Sequence, residues 1–148
     1  MFRRIVWALV LVLMLAGMSF GRTFEYGPFE IDVPRGWAPK ELPNDGLELR
    51  SMDRRKLLTV HYGSLSGGSL EEFAQYVSER VNGTKPRYDN TYDGWRFTRM
   101  WNATWKAQVL IRGFERGDAA VIIQWAAGHG SSVSKKDLEQ ILDSISLR

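Results

Sequence analysis

The chain has 148 residues, 44% of them hydrophobic and 25% charged, and no cysteine. That is long enough for one domain with its own core and too short for two; the apolar fraction excludes long disorder, and the missing cysteines exclude disulfide stapling. The formal net charge of +3 counts Arg3 and Arg4; without them the 20 basic residues become 18 against 17 acidic ones, a balance of +1 that gives no basis for nucleic-acid binding.

Residues 1–21, MFRRIVWALVLVLMLAGMSFG, have the three parts of a secretory signal. Arg3 and Arg4 form the basic start, Ile5 to Met18 the apolar run, and Ser19 and Gly21 the small residues before a cleavage point. The run is shorter than the ~20 residues of a spanning helix. Cleavage after Gly21 is the expectation, leaving residues 22–148 as a single domain. Without a cysteine to carry lipid, that domain is expected to be soluble, with no stable membrane insertion. A bacterial periplasm or the cell exterior is the expected location.

The remaining elements follow in order. Thr23 to Tyr26 is extended and breaks at the Gly27-Pro28 turn. Phe29, Ile31 and Val33 alternate with Glu30 and Asp32, the period of a half-buried strand that Pro34 ends. Trp37 is placed as a plug over the sheet edge, and Ala38 to Gly46, with two prolines and Asn44-Asp45-Gly46, reads as loop. Leu47–Met52 and Leu57–Tyr62 read as a hairpin around Asp53-Arg54-Arg55-Lys56, and Gly63–Gly68 as a connector.

Ser69 and Glu72 form a capping box ahead of a stripe of Leu70, Phe73, Ala74, Val77 and Val81. Gly83 is placed at the left-handed position that ends this helix, before Pro86. Tyr88–Tyr92 reads as a short strand and Asp93-Gly94 as a turn. Gly94 to Ala127 then reads as three antiparallel strands carrying four of the six tryptophans. The odd positions Trp95, Phe97, Trp101, Trp105, Val109, Ile111, Val121, Ile123 and Trp125 are expected to form one apolar wall, with the even positions mixed. A last helix capped by Ser134 carries Leu138, Ile141, Leu142 and Ile145. The order predicts an α+β fold, an antiparallel sheet with helices packed on it.

The corner FEIDVPRGW (Phe29 to Trp37), the helix SLEEFAQYVSERV, the aromatic meander and the terminal LEQILDSISL resemble the PsbP-like superfamily, in particular its small exported bacterial members of the DcrB-like branch. The resemblance implies an α/β/α sandwich and proteins that bind or stabilise other proteins. It supplies no catalytic residue.

The chemical inventory is short. Two histidines, His61 and His129, and no cysteine leave few zinc ligands, and no metal or cofactor is expected. There is no Gly-x-Ser-x-Gly elbow, and GSLSGGS before the first helix lacks the lysine of a phosphate loop. Glu71 and Glu72 are explained by their place in a helix first turn. The sequence therefore predicts no enzyme, but a domain that binds a protein partner in the cell envelope. The alternative is a small-ligand carrier with a tryptophan-lined cavity between sheet and helix, walled by Met100 or Leu110. Candidate partner contacts are Trp101 and Trp105, which flank a short turn, and the basic tip at Arg54 and Arg55.

Overall fold

The computed structural model describes residues 21–43, 46–100, 106–114, 118–127 and 133–148. The segment 1–20, Trp101, Trp105 and His129 lie outside the described residues. Among the described residues no helix is long and apolar enough to cross a membrane.

Two antiparallel sheets and two helices make an α+β fold. The smaller sheet has β1 (Arg22–Tyr26), β2 (Phe29–Val33) and β10 (Ser146–Leu147), with β2 central. The larger has β3 (Trp37–Leu42), β4 (Gly46–Ser51), β5 (Leu57–Ser64), β6 (Arg87–Asp89), β7 (Gly94–Met100), β8 (Lys106–Gly113) and β9 (Ala119–Ala127), in spatial order β3-β4-β5-β9-β8-β7-β6. The expected single sheet is thus two, because the Phe29–Val33 strand leaves the large sheet and pairs with both ends of the domain.

The helices are α1 (Leu70–Arg80) and α2 (Lys135–Ser144). Both carry complete capping boxes. In α1 the Glu72 N–H donates to Ser69 Oγ at 3.1 Å and the Ser69 N–H to Glu72 Oε2 at 2.9 Å. In α2 Ser134 and Asp137 exchange the equivalent bonds at 3.1 and 3.3 Å. Each box satisfies two N–H groups that a helix start leaves without partners.

Residues directly opposite in a sheet share a face, so the register decides what is buried. Across β7 and β8 the pairs Trp95–Ile111 and Phe97–Val109 join odd to odd. Across β8 and β9 the pairs Leu110–Ile123 and Gln108–Trp125 join even to odd. The odd residues of β9 therefore point away from those of β7 and β8, and among the described residues the expected single wall is two half-walls on opposite faces. Val121, Ile123 and Trp125 join Leu47, Leu49, Leu58, Val60 and Leu110 in the main core, closed by Phe29, Ile31 and Val33 of β2 and by Leu138, Ile141 and Leu142 of α2. Phe97, Val109, Ile111 and Ala120 form a second core under α1, with Ala74 at its centre and Trp95, Phe73 and Val77 at its rim.

Three further expectations change. Trp37–Leu42 is a strand, not a loop; it is the edge of the large sheet, the place in a sheet where a proline such as Pro39 is accommodated. Trp37 is its first residue, half-buried against the main core opposite Ser51. The residue in the left-handed conformation after α1 is Asn82 (φ 52°), not Gly83. The Gly83 N–H donates to the Ser78 carbonyl at 2.8 Å and the Asn82 N–H to the Glu79 carbonyl at 3.2 Å, a Schellman ending. Gly83 is small for a different reason: a Cβ there would lie 2.7 Å from the Phe97 ring.

Candidate functional site

The two cores cover opposite faces of the large sheet at different ends. One cross-strand row shows the consequence: Arg87, Arg96, Leu110, Ile123, Val60 and Leu47 lie side by side from β6 to β4. The row is apolar and buried from β8 onward, where β2 and α2 cover it, and charged on β7 and β6. The next row changes character at the same place, from Thr98 and Gln108 to Trp125, Leu58 and Leu49. The sequence thus leaves the β6–β8 end of the main face polar, and a cleft of about 690 Å³ lies over it.

A fixed hydrogen-bond network forms the floor. Arg96 Nε donates to Gln108 Oε1 at 3.0 Å, and Gln108 Nε2 donates to Thr98 Oγ1 at 2.9 Å. Arg96 Nη1 reaches Asp89 Oδ2 at 3.3 Å, and the Thr91 N–H donates to the other Asp89 oxygen at 2.9 Å. The guanidinium also lies over the Trp125 ring, 5.4 Å from its centroid. A cation over an indole is attracted by the negative face of the ring. Trp125 is therefore a platform for Arg96 as well as part of the core, and Arg96 is held by partners within the domain.

The wall of the cleft is pinned from behind. The Thr84 N–H donates to the Thr98 carbonyl, and the Thr98 N–H to Thr84 Oγ1, both at 2.9 Å. The hydroxyl of Ser78, buried in α1, donates to the Thr84 carbonyl at 2.7 Å. This ties the 84–87 segment to both helix and sheet and sets Lys85 and Arg87 at the rim. Tyr88 points to the other face, opposite Trp95, where its hydroxyl donates to the Asp93 carboxylate; that bond holds the phenol above its usual pKa.

Lys85, Arg87 and Arg96 line the cleft with a single carboxylate, Asp89. The surplus is two positive charges. Such a lining is electrostatically complementary to anionic groups. Among the described residues no group of three His, Cys, Asp or Glu side chains is placed to hold a metal ion.

The sequence-predicted contacts lie elsewhere or outside the description. Arg54 and Arg55 are exposed at the β4–β5 turn, away from the cleft. That turn is well built: Ser51 Oγ and the Arg55 N–H donate to Asp53 at 2.5 and 3.0 Å, which lowers the Asp53 pKa, while Arg54 sits at φ 59°. Met100 is exposed, and Leu110 is fully buried in the main core on the face away from α1. His61 packs its ring against Gly46, where a Cβ would approach it to 2.3 Å. Sequence reasoning assigned Arg96, Thr98 and Gln108 to a mixed outer face and did not single out Asp89 or Arg87. Their polarity was visible; their meeting on one floor depends on the registers of β6 with β7 and of β7 with β8.

No family model and no curated protein matches the chain. It is similar to solved structures, among them a crystal structure from Bacteroides thetaiotaomicron VPI-5482 at 1.50 Å resolution, with 17% identity and a TM-score of 0.58. The match covers 86% of this chain and 48% of that one, so this chain spans about half the length of its neighbour. At that identity the likeness concerns the fold alone.

Proposed function

We propose that this chain is an exported, non-enzymatic binding domain of the bacterial envelope, periplasmic or secreted, that holds or stabilises a protein partner. Its architecture is read as a variant of the PsbP-like α/β/α sandwich, on the strength of the element order and the FEIDVPRGW corner. The observation that carries the reading is the cleft over β6–β8, where a bonded Arg96 and an exposed rim are presented on a rigid sheet. Arginine on a pre-organised floor is what an interface uses to anchor a partner without ordering its own side chains first.

The test is a photo-crosslinking residue at Asn90, on the cleft rim, in cells expressing the full chain. A single defined protein adduct is expected, lost when the crosslinker is moved to Lys40 at the far edge of the sheet. No adduct from any rim position would refute the reading. A second reading, a carrier of a small ligand, is favoured by the cleft volume, which lies in the usual range for small-molecule sites. Saturable quenching of tryptophan fluorescence by a small solute, with Trp125 as reporter, would support it.

A further inference from the structure

We infer that the β6–β8 cleft recognises an acidic, extended segment of its protein partner, with carboxylates seated between Arg87 and Arg96. This rests on the protein-binding reading above and names what is bound. Arg87 and Arg96 are directly opposite each other on β6 and β7, so their side chains leave the same face of the sheet as neighbours. Like charges in opposite positions destabilise a strand pair. The opposition itself therefore adds nothing to the β6–β7 pairing, and the single carboxylate beside it, Asp89, is engaged by Arg96 and by the Thr91 N–H. Lys85 adds a third cation to the same lining. An anion placed between the two guanidiniums relieves their repulsion and meets the fork of Arg87, suited to carboxylates, beside an Arg96 whose Nε and Nη1 are already given to Gln108 and Asp89.

The openness of the site selects a segment over a free small ion. An exposed ion pair in water is worth little by itself. A peptide lying along the rim adds contacts with Asn90, Thr91 and Thr84, which line the same cleft. The near-neutral balance of residues 22–148 argues for local recognition and against attraction to a polyanion at a distance.

The test uses the purified protein and a fluorescent hexapeptide of alternating glutamate and serine, with the glutamine counterpart as control. Anisotropy is expected to show at least tenfold tighter binding of the glutamate peptide, weakening as salt is raised. Arg87→Gln is expected to lower that affinity about tenfold while leaving the urea midpoint unchanged or raised, because the like-charge pair is gone. A purely structural Arg87 would instead lower the midpoint. Lys40→Gln, at the opposite edge of the sheet, is expected to leave affinity unchanged. Equal binding of the two peptides, or no binding of either, overturns the inference. So does full competition by inorganic phosphate or glutarate at the peptide's own concentration, which would make the site one for free anions. An Asn90 adduct whose contacted segment carries no acidic residue also overturns it and leaves the protein-binding reading intact. Absence of any adduct removes both.

Discussion

Replacing Gly83 by alanine tests how the end of α1 is joined to the sheet. The added Cβ would sit 2.7 and 2.9 Å from two carbons of the Phe97 ring and 3.0 Å from Ser78 Oγ. Neither neighbour yields cheaply. Phe97 is 3% exposed within the second core, and Ser78, 2% exposed, has its hydroxyl bonded to the Thr84 carbonyl. Overpacking of this kind costs about 1–3 kcal/mol. The opposing gain, a less flexible unfolded chain, is about 0.4–1 kcal/mol. The balance, at the centre of these ranges, is a net loss of about 1.3 kcal/mol, or a drop of roughly 3–6 °C in melting temperature for a domain of this size. Urea unfolding followed by tryptophan fluorescence measures it. Phe97→Leu in the same molecule should recover part of the loss, with a coupling of about 0.5 kcal/mol or more between the two sites. At Asn82, which holds the left-handed position, alanine should cost about 1 kcal/mol and glycine only a few tenths. A neutral or stabilising Gly83→Ala, together with a costly Asn82→Gly, would refute the assignment of the two roles.

Further outcomes follow from the same packing. The Asp137 carboxyl is pushed up by burial but held below its ordinary 3.8 overall, by Lys56 Nζ at 2.6 Å and by its bonds with Ser134. A depressed folded-state pKa means that this stabilisation is complete above the unfolded value and is lost as pH falls through the folded one. Lys56→Met should therefore lower the urea midpoint at pH 7 and narrow the difference between pH 7 and pH 3; an unchanged difference would dismiss the pair as a source of acid sensitivity. Phe73→Ala should destabilise by about 2 kcal/mol, since the ring closes the rim of the second core over Gly63, and Phe73→Asp should release α1, measured as lost helical circular dichroism. Arg96→Met should remove the charge over Trp125 and change its fluorescence, at about 0.5–1 kcal/mol in stability. An emission spectrum identical to the parent's would contradict the contact.

Much of the local structure was legible from residue order. The Ser69–Glu72 box, the alternation from Phe29 to Val33, the Gly27-Pro28 turn and the α2 stripe are rules acting over a few neighbours, and each element stands where those rules put it. The Trp37–Leu42 strand was hidden by Pro39, whose backbone fits a strand only where the ladder has a free side. Nothing in the local sequence says that this strand is an edge.

The cleft was legible in composition and invisible in position. Polar Arg96, Thr98 and Gln108 interrupt an apolar meander, which marks a face that is not fully buried. Which face, and which end of it, follows from pairings between residues far apart in the chain. By itself the sequence determined the class of fold, both capped helices and the aromatic capital of the cores, because periodicity and capping are short-range physics. Tertiary structure alone decided that Trp95 and Trp125 lie on opposite faces, since the register of β8 with β9 is even-to-odd. It also decided that Arg87 stands beside Arg96, because only the fold of the Asp89–Gly94 turn brings two like charges to neighbouring positions on one face.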